Sequence, residues 1–172
     1  MLGDGNGWSA GPDGTRCWGR FGAAGLVVLI PDGDSGRVLL QYRAEWTSYP
    51  LTWGVPGGAR DSHETPEAAA MREANEETGL DEQQLEILDS IVTTGPHPAD
   101  PERPELAGDW TYHTVFAFAP QQLDTTPNAE SLDLRWVPLE EVHTYNLLPA
   151  FADSWPRVKN FAEQLLAARR GS

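Results

Sequence analysis

Apolar residues recur along this chain in short runs and alternations that predict several β-strands. Residues 22–30 form an apolar run that stops at a Pro-Asp-Gly-Asp sequence, which indicates a buried strand followed by a turn. Residues 37–43 have the pattern of a hairpin partner for that strand. Further strands are predicted at residues 85–94, 110–119 and 131–137. In the last two, the side chains expected on one inward face are those of Trp110, Tyr112, Thr114, Phe116 and Phe118, and of Leu132, Leu134 and Trp136.

Two helices are predicted from capping residues and from helical spacing. Thr65 is suited to cap a helix that begins at Pro66 and ends before Gly79. A second helix is expected from about Ser154, with an apolar stripe made of Val158, Phe161, Ala162 and Leu165. The order of strand, helix, several strands and helix predicts an α/β (α+β) fold, an α/β/α sandwich in which a mixed β-sheet lies between helices.

The remaining segments are rich in glycine and proline and set the expected domain boundaries. Residues 1–20 are Gly-rich and aperiodic, so we expect a flexible N-terminal tail ahead of a single domain over residues 21–170. Residues 46–65 are rich in Pro, Gly and Trp and are expected to form a structured loop. Residues 96–109 are expected to form a proline-rich loop.

Composition limits the classes of function. The chain has 172 residues, close to one domain, and 40% of them are hydrophobic, enough for one core. Its net charge of −14 disfavours binding to a nucleic acid polymer, because the phosphate backbone would be repelled. The longest uncharged apolar stretch, residues 21–31, is too short to span a bilayer, and no export signal is recognised. We therefore expect a cytoplasmic protein without a membrane partner.

Three acidic side chains fall on one face of the first predicted helix. Glu73, Glu76 and Glu77 follow the spacing i, i+3 and i+4, which keeps them within about 100° of arc. Like charges so close repel one another, and a hard divalent cation such as Mg²⁺, which prefers oxygen ligands, removes that penalty. An acidic face that is merely solvated is the other interpretation, since the chain has 26 Asp and Glu residues.

The residues around this acidic face resemble a known family signature. Gly58 is followed after five residues by Glu64 and, after seven more, by the run Arg72-Glu73-Ala74-Asn75-Glu76-Glu77-Thr78-Gly79-Leu80. This spacing resembles the signature of the Nudix hydrolases (MutT-like) at every fixed position, with a small Ala74 at one of its two aliphatic positions. The strand order on either side is also similar to the fold of that family, so the resemblance extends over about residues 20–168.

The resemblance implies a reaction, a cofactor and a ligand set. The reaction is hydrolysis of a pyrophosphate bond in a nucleoside diphosphate linked to another moiety, with Mg²⁺ or Mn²⁺ as the cofactor. Glu73, Glu76 and Glu77 would hold the metal, and Glu130, which precedes a later strand, would supply a fourth carboxylate ligand. Glu76 or Glu77 is the expected general base.

Other residues of the signature receive supporting roles from the resemblance. Arg72 is expected to orient a carboxylate, either that of Glu64 or that of Glu73, and Glu64 therefore joins the expected catalytic set. Gly58 and Gly79 are expected to permit the tight turns that enter and leave the loop–helix–loop.

Candidate substrate-binding residues lie close to the signature. Arg43 ends the second strand and Arg60 follows the glycine pair, so either guanidinium could grip phosphate groups in a bidentate manner. Gly58 is also placed among the substrate-binding residues. Aromatic side chains that could stack on a nucleotide base are Trp46, Trp53, Trp110 and Tyr112, of which Trp53 is selected.

The substrate is expected to be a nucleotide sugar or an ADP-ribose-like molecule. Pro96 follows Leu80 at a spacing that resembles ADP-ribose-type members of the family. A pyrophosphatase of the housecleaning type, acting on oxidised nucleoside triphosphates, is the first alternative. A non-catalytic nucleotide-sensing module is a second, although such modules commonly lose carboxylates that this chain keeps.

An isopentenyl-diphosphate isomerase is a third alternative. Those enzymes need a catalytic cysteine in the core of the domain, whereas Cys17 lies upstream of the first apolar strand.

The resemblance to the Nudix hydrolases implies a small-molecule nucleotide as the partner of this protein. It also implies a homodimer.

Overall fold

A mixed sheet of seven strands lies at the centre of this computed structural model, which describes residues 3–171. Its strands are β3 (Ala23–Asp32), β4 (Ser35–Arg43), β5 (Trp53–Gly54), β6 (Gly57–Ala59), β7 (Glu86–His97), β8 (Trp110–Phe118) and β9 (Ser131–Pro138). The order along the sheet is β5-β4-β3-β8-β7, with β6 paired to β3 and β9 paired to β4. The β3–β8 pair is parallel and the other pairs are antiparallel, as a mixed sheet requires.

Strand β3 is buried on both faces because a helix covers each side of the sheet. Leu26 and Val28 point into a core beside the first helix, α1 (Pro66–Thr78), where they pack with small residues such as Ala70. Val27 and Leu29 alternate with them and point into a second core, beside the second helix, α2 (Pro149–Arg170). The predicted α/β/α sandwich is therefore confirmed.

Helix α1 has the predicted ends. The Thr65 hydroxyl accepts a hydrogen bond from the backbone N–H of Ala68 at 3.1 Å, and Pro66 occupies the first helical position. Gly79 adopts a left-handed conformation with φ of 76°, and its N–H donates to the carbonyl of Asn75 at 2.9 Å. A residue with a Cβ would be strained there, so glycine ends the helix and lets the chain turn away.

Helix α2 begins at Pro149, earlier than the predicted start near Ser154. A start near Ser154 would leave Pro156 in the first turn, where proline is tolerated, but the helix runs through this residue. The apolar stripe is confirmed, since Val158 and Ala162 are fully buried. Within residues 3–171, neither helix combines the length and the apolar character needed to cross a membrane.

The N-terminal segment contains a strand pair that the sequence did not predict. Strands β1 (Trp8–Ala10) and β2 (Arg16–Trp18) form a separate antiparallel sheet, in which the rings of Trp8 and Trp18 pack edge to face at 5.0 Å. Just before it, the N–H of Gly5 donates to Asp61 Oδ1 at 2.7 Å. Strands of three residues are too short to show a hydrophobic period, which is why residues 1–20 read as aperiodic.

Two details of the predicted strands are corrected by the structure. Leu132 was expected to face inward, but it is 51% exposed, because the pairing of β4 with β9 shifts register at this end of the strands. Ser131 is the buried residue instead, and its hydroxyl accepts a hydrogen bond from the Gln41 side chain at 2.8 Å. Strand β7 also continues to His97, past the expected start of the loop at residue 96.

Removing the Thr65 hydroxyl should destabilise the protein through α1. Thr65→Ala leaves the Ala68 N–H without its side-chain acceptor, and we expect a loss of about 1 kcal/mol in the free energy of unfolding, measured by urea denaturation. Thr65→Ser keeps an acceptor oxygen and should stay close to the parent. Equal losses in the two variants would contradict this role for the cap.

Candidate active site

Arg72 connects β6, the loop after β6 and α1 through hydrogen bonds. Arg72 donates to both oxygens of Glu64, from Nε to Oε2 at 2.7 Å and from Nη2 to Oε1 at 2.8 Å. Its Nη1 donates to Glu73 Oε1 at 2.9 Å, and Nη2 also donates to the carbonyl of Ala59 at 3.1 Å. We call this set of contacts the Arg72 network. It ties β6, the following loop and α1 into one unit.

Glu64 is held in its charged form inside this network. Its side chain is only 8% exposed, and it also accepts a hydrogen bond from the N–H of Asp61 at 3.0 Å. The hydrogen bonds from Arg72 lower the pKa of Glu64 below its usual value, against the opposing effect of burial. A carboxylate whose two oxygens are both engaged is suited to orient Arg72 and is poorly suited to accept a proton from water.

Glu77 lies between α1 and the sheet and is 2% exposed. One of its oxygens accepts the N–H of Gly57 at 2.9 Å. Burial, together with a hydrogen bond to Glu130 and the charges of Glu73 and Glu130, raises the pKa of Glu77 to about 9. A carboxyl group in this environment is expensive to ionise unless a positive charge is brought to it.

Glu73 lies against the backbone of the glycine pair. A Cβ built on Gly58 would stand 2.6 Å from the carboxyl carbon of Glu73, so no larger residue fits there without moving that carboxylate. Burial raises the pKa of Glu73, although Arg72 acts in the opposite direction. In the structure, Gly58 makes room for the Glu73 side chain.

The four expected metal ligands differ in how exposed they are. The charges of Glu73, Glu77 and Glu130 influence one another, and we call these three residues the carboxylate cluster. Glu76 has a 55% exposed side chain, lies 3.6 Å from Arg72 Nη1, and its charge also raises the pKa of Glu73. Within residues 3–171, no three Asp, Glu, His or Cys side chains are arranged as a complete metal site.

The donor chemistry of the carboxylate cluster nevertheless fits a hard divalent cation. Carboxylate oxygens are the ligands that Mg²⁺ and Mn²⁺ take from proteins. Glu73 and Glu77 both have raised pKa values because they are buried, so a cation would stabilise their charged forms. The residues present therefore fit the metal that the signature implies.

The two candidate phosphate-binding arginines have different surroundings. Arg43 is held from one side, since its Nε donates to the carbonyl of Ser48 at 2.9 Å, and its charge acts on the hydroxyl of Tyr112. Arg60 donates from Nη1 to the carbonyl of Glu64 at 2.6 Å and from Nε to that of Phe21 at 3.2 Å. Arg43 is thus tied to the loop of Ser48, and Arg60 is engaged in holding the loop before α1.

The aromatic candidates also separate. Trp53 is 8% exposed, stacks on Tyr42 with ring centroids 4.7 Å apart, and meets Tyr145 edge to face at 5.2 Å. Its ring is therefore packed against other parts of the protein. Trp46 is 67% exposed, and its indole N–H donates to the carbonyl of Ala129, the residue before Glu130.

The position of the Tyr112 hydroxyl was not predicted from the sequence. Tyr112 was grouped with base-stacking aromatics, but its hydroxyl lies over Gly25 and near Glu77. The available signal was Gly25 itself, which interrupts an otherwise apolar strand. A glycine inside a strand often marks the close approach of another group.

Comparison with known proteins agrees with the signature and the fold. A sequence-family model, described as the NUDIX domain, matches residues 20–161. A Mycobacterium tuberculosis protein named "Putative 8-oxo-dGTP diphosphatase 3" is 47% identical over 170 residues, which cover 98% of this chain and 76% of that protein. A Bifidobacterium longum "Nucleoside triphosphate pyrophosphatase/Nudix hydrolase fusion protein" is 34% identical over 171 residues, covering 96% of this chain and 33% of the fusion protein.

A solved structure resembles this one over nearly its whole length. The crystal structure of a Nudix hydrolase from M. smegmatis, RenU, has a TM-score of 0.82 and 44% sequence identity, with 93% of this chain and 96% of that chain covered. A family model that spans most of the chain, together with these relatives, identifies the family. This chain belongs to the Nudix family and is a Nudix hydrolase.

Proposed function

We propose that the protein hydrolyses a phosphoanhydride bond in oxidised nucleoside triphosphates such as 8-oxo-dGTP, with Mg²⁺ or Mn²⁺. The observation that carries the proposal is the carboxylate cluster of half-buried Glu73, buried Glu77 and Glu130, together with Arg43, which pairs across the sheet with Ser131, the residue after Glu130. This arrangement suits a metal–phosphate pair. The name of the 47% identical relative supports the choice of an oxidised guanine nucleotide.

A nucleoside diphosphate linked to a sugar, as in ADP-ribose, is the second candidate. The feature that favours it is Pro96, because its spacing from Leu80 resembles that of ADP-ribose-type members of the family. Both candidates contain a pyrophosphate linkage to a nucleoside, so they make the same demand on the carboxylate cluster and on Arg43.

The metal would be held by Glu73, Glu77 and Glu130, with Glu76 as the further ligand expected from the signature. When bound, it would neutralise charge on the phosphate oxygens and make a water molecule more acidic. The chain itself fixes the ligands in advance. Gly57 orients Glu77 through its N–H, and the Arg72 network orients Glu73.

The remaining residues of the signature divide into positioning and proton-transfer roles. Glu64 is a positioning residue, since both of its oxygens bind Arg72. Glu76 and Glu77 are the expected general bases. Glu76 has its carboxylate in contact with solvent, whereas Glu77 is closed off from it, which favours Glu76 as the group that takes a proton from water. Arg43 would bind the phosphate that leaves or the one that is attacked.

A nucleotide screen tests the function directly. Purified protein with Mg²⁺, and separately with Mn²⁺, would be given 8-oxo-dGTP, dGTP, ADP-ribose, nucleotide sugars and dinucleoside polyphosphates, followed by chromatography of the products. We expect 8-oxo-dGTP to be converted fastest, to the monophosphate and pyrophosphate. Faster cleavage of ADP-ribose would favour the second candidate, and no turnover of any compound would contradict the proposal. A Glu77→Gln preparation controls for contaminating enzymes.

The buried Glu77 should make stability depend on pH when metal is absent. Its pKa is about 9 in the folded protein against 4.5 for an ordinary glutamate, so the folded state binds more protons than the unfolded state between these values. The stability should therefore fall as pH rises from about 5 to 9 in the presence of EDTA. Glu77→Gln removes the titrating group and should flatten this dependence, with a higher melting temperature than the parent at pH 8.

Addition of Mg²⁺ should make the melting temperature of the parent higher than that of Glu77→Gln. The parent should gain melting temperature because the metal binds only its folded state, whereas Glu77→Gln should gain little. Glu82→Gln is the matched control, since Glu82 is exposed and follows α1, and it should behave as the parent in both conditions. An equal Mg²⁺ response in the parent and Glu77→Gln would place the metal elsewhere.

Arg72→Lys should lower activity while keeping the charge. A lysine cannot donate at once to Glu64, Glu73 and the Ala59 carbonyl, so the orientation of Glu73 is lost. We expect kcat to fall by about 10- to 100-fold, with a smaller change in KM. Arg60→Lys tests the specificity of this effect, because Arg60 holds the loop through backbone carbonyls and should lose less activity. Full activity of Arg72→Lys would show that its fork is dispensable.

A further inference from the structure

The hydroxyl of Tyr112 occupies a place made for it by a glycine. Tyr112 lies on β8, next to the first half of β3, and a Cβ on Gly25 would collide with its hydroxyl oxygen. The same Cβ would stand 3.0 Å from the side chain of Val55. The absence of a side chain at Gly25 therefore lets the phenol reach toward the carboxylate cluster.

The Tyr112 hydroxyl makes no hydrogen bond with any group of residues 3–171. Burial raises the pKa of Tyr112, and the negative charge of Glu77 acts in the same direction, so the group stays protonated at neutral pH. Arg43 is close enough to act on the same oxygen with the opposite sign.

The charges around Tyr112 define what an acceptor could be. Glu77 and Glu73 of the carboxylate cluster, where the metal is proposed to bind, and the guanidinium of Arg43 all act on the Tyr112 hydroxyl through their charges. An anion between a metal and a guanidinium is stabilised by both. Glu77 is a poorer acceptor for Tyr112, because it already binds the N–H of Gly57 and contacts Glu130.

We propose that the Tyr112 hydroxyl donates a hydrogen bond to a phosphate oxygen of the substrate, between Arg43 and the carboxylate cluster. The inference rests on the proposed function, since it requires a phosphoanhydride substrate. It makes Tyr112 a substrate-binding residue whose phenol O–H, and not its ring face, contacts the ligand.

Tyr112→Phe separates this role from packing, because phenylalanine keeps the ring and removes only the hydroxyl. With 8-oxo-dGTP, and in parallel with ADP-ribose, we expect kcat/KM to fall by about 10- to 100-fold, the range for a lost hydrogen bond to a charged group. The rise in melting temperature on adding Mg²⁺ should match that of the parent. Tyr49→Phe is the control, since Tyr49 is 61% exposed, and its activity should not change.

A second measurement tests the placement without any turnover. Gly25→Ala should destabilise the parent strongly, because the new methyl group meets the hydroxyl, and should destabilise the Tyr112→Phe background less. Equal destabilisation in both backgrounds would show that the hydroxyl does not lie over Gly25.

The outcomes separate this inference from the proposed function. A parent enzyme that cleaves a nucleotide, with Tyr112→Phe equally active on it, would overturn the inference alone. A parent that cleaves none of the compounds would overturn the proposed function. In that case calorimetry with inorganic pyrophosphate and Mg²⁺ would still measure the contact, with weaker binding to Tyr112→Phe expected and equal binding overturning it.

Discussion

The fork of Arg72 is the interaction on which the rest of the site depends. A single planar guanidinium reaches Glu64 in the loop, Glu73 in α1 and the carbonyl of Ala59 at the end of β6. These groups belong to a loop, a helix and a strand, and strand pairing in the sheet does not fix the positions of the loop and the helix. Because the fork is rigid and fully charged, it fixes the spacing of the elements and offsets part of the repulsion among the acids.

Three glycines accommodate the polar side chains of the site. Gly57 supplies an N–H to Glu77, Gly58 leaves room for Glu73, and Gly25 leaves room for the Tyr112 hydroxyl. A Cβ on Gly58 or Gly25 would collide with the polar side chain, and a Cβ on Gly57 would collide with the backbone of β3. The site is thus built on a stretch of bare backbone in β3 and β6, with the charged groups approaching it from α1 and β8.

The sequence predicted the fold and the acidic helix well, because both depend on local patterns. Strand alternation, the Thr65 cap and Gly79 are readable within a few residues, and the spacing of the signature is equally local. The exposure of Leu132 and the burial of Glu77 could not be predicted from the sequence. The first depends on a register shift between β4 and β9, and the second on which face of α1 the sheet covers. The position of the Tyr112 hydroxyl likewise depends on the neighbouring strand β3, where Gly25 leaves room for it.

The contact between the N-terminal segment and the loop of Asp61 has a practical consequence. Gly5 donates to Asp61 Oδ1, and the Ser62 N–H donates to Asp4 at 2.8 Å, a few residues from Glu64. An affinity tag or fluorescent fusion joined directly ahead of these residues would therefore lie against the loop that contains Asp61 and Glu64. The end of α2 packs on the opposite face of the sheet, so a fusion there leaves that loop undisturbed.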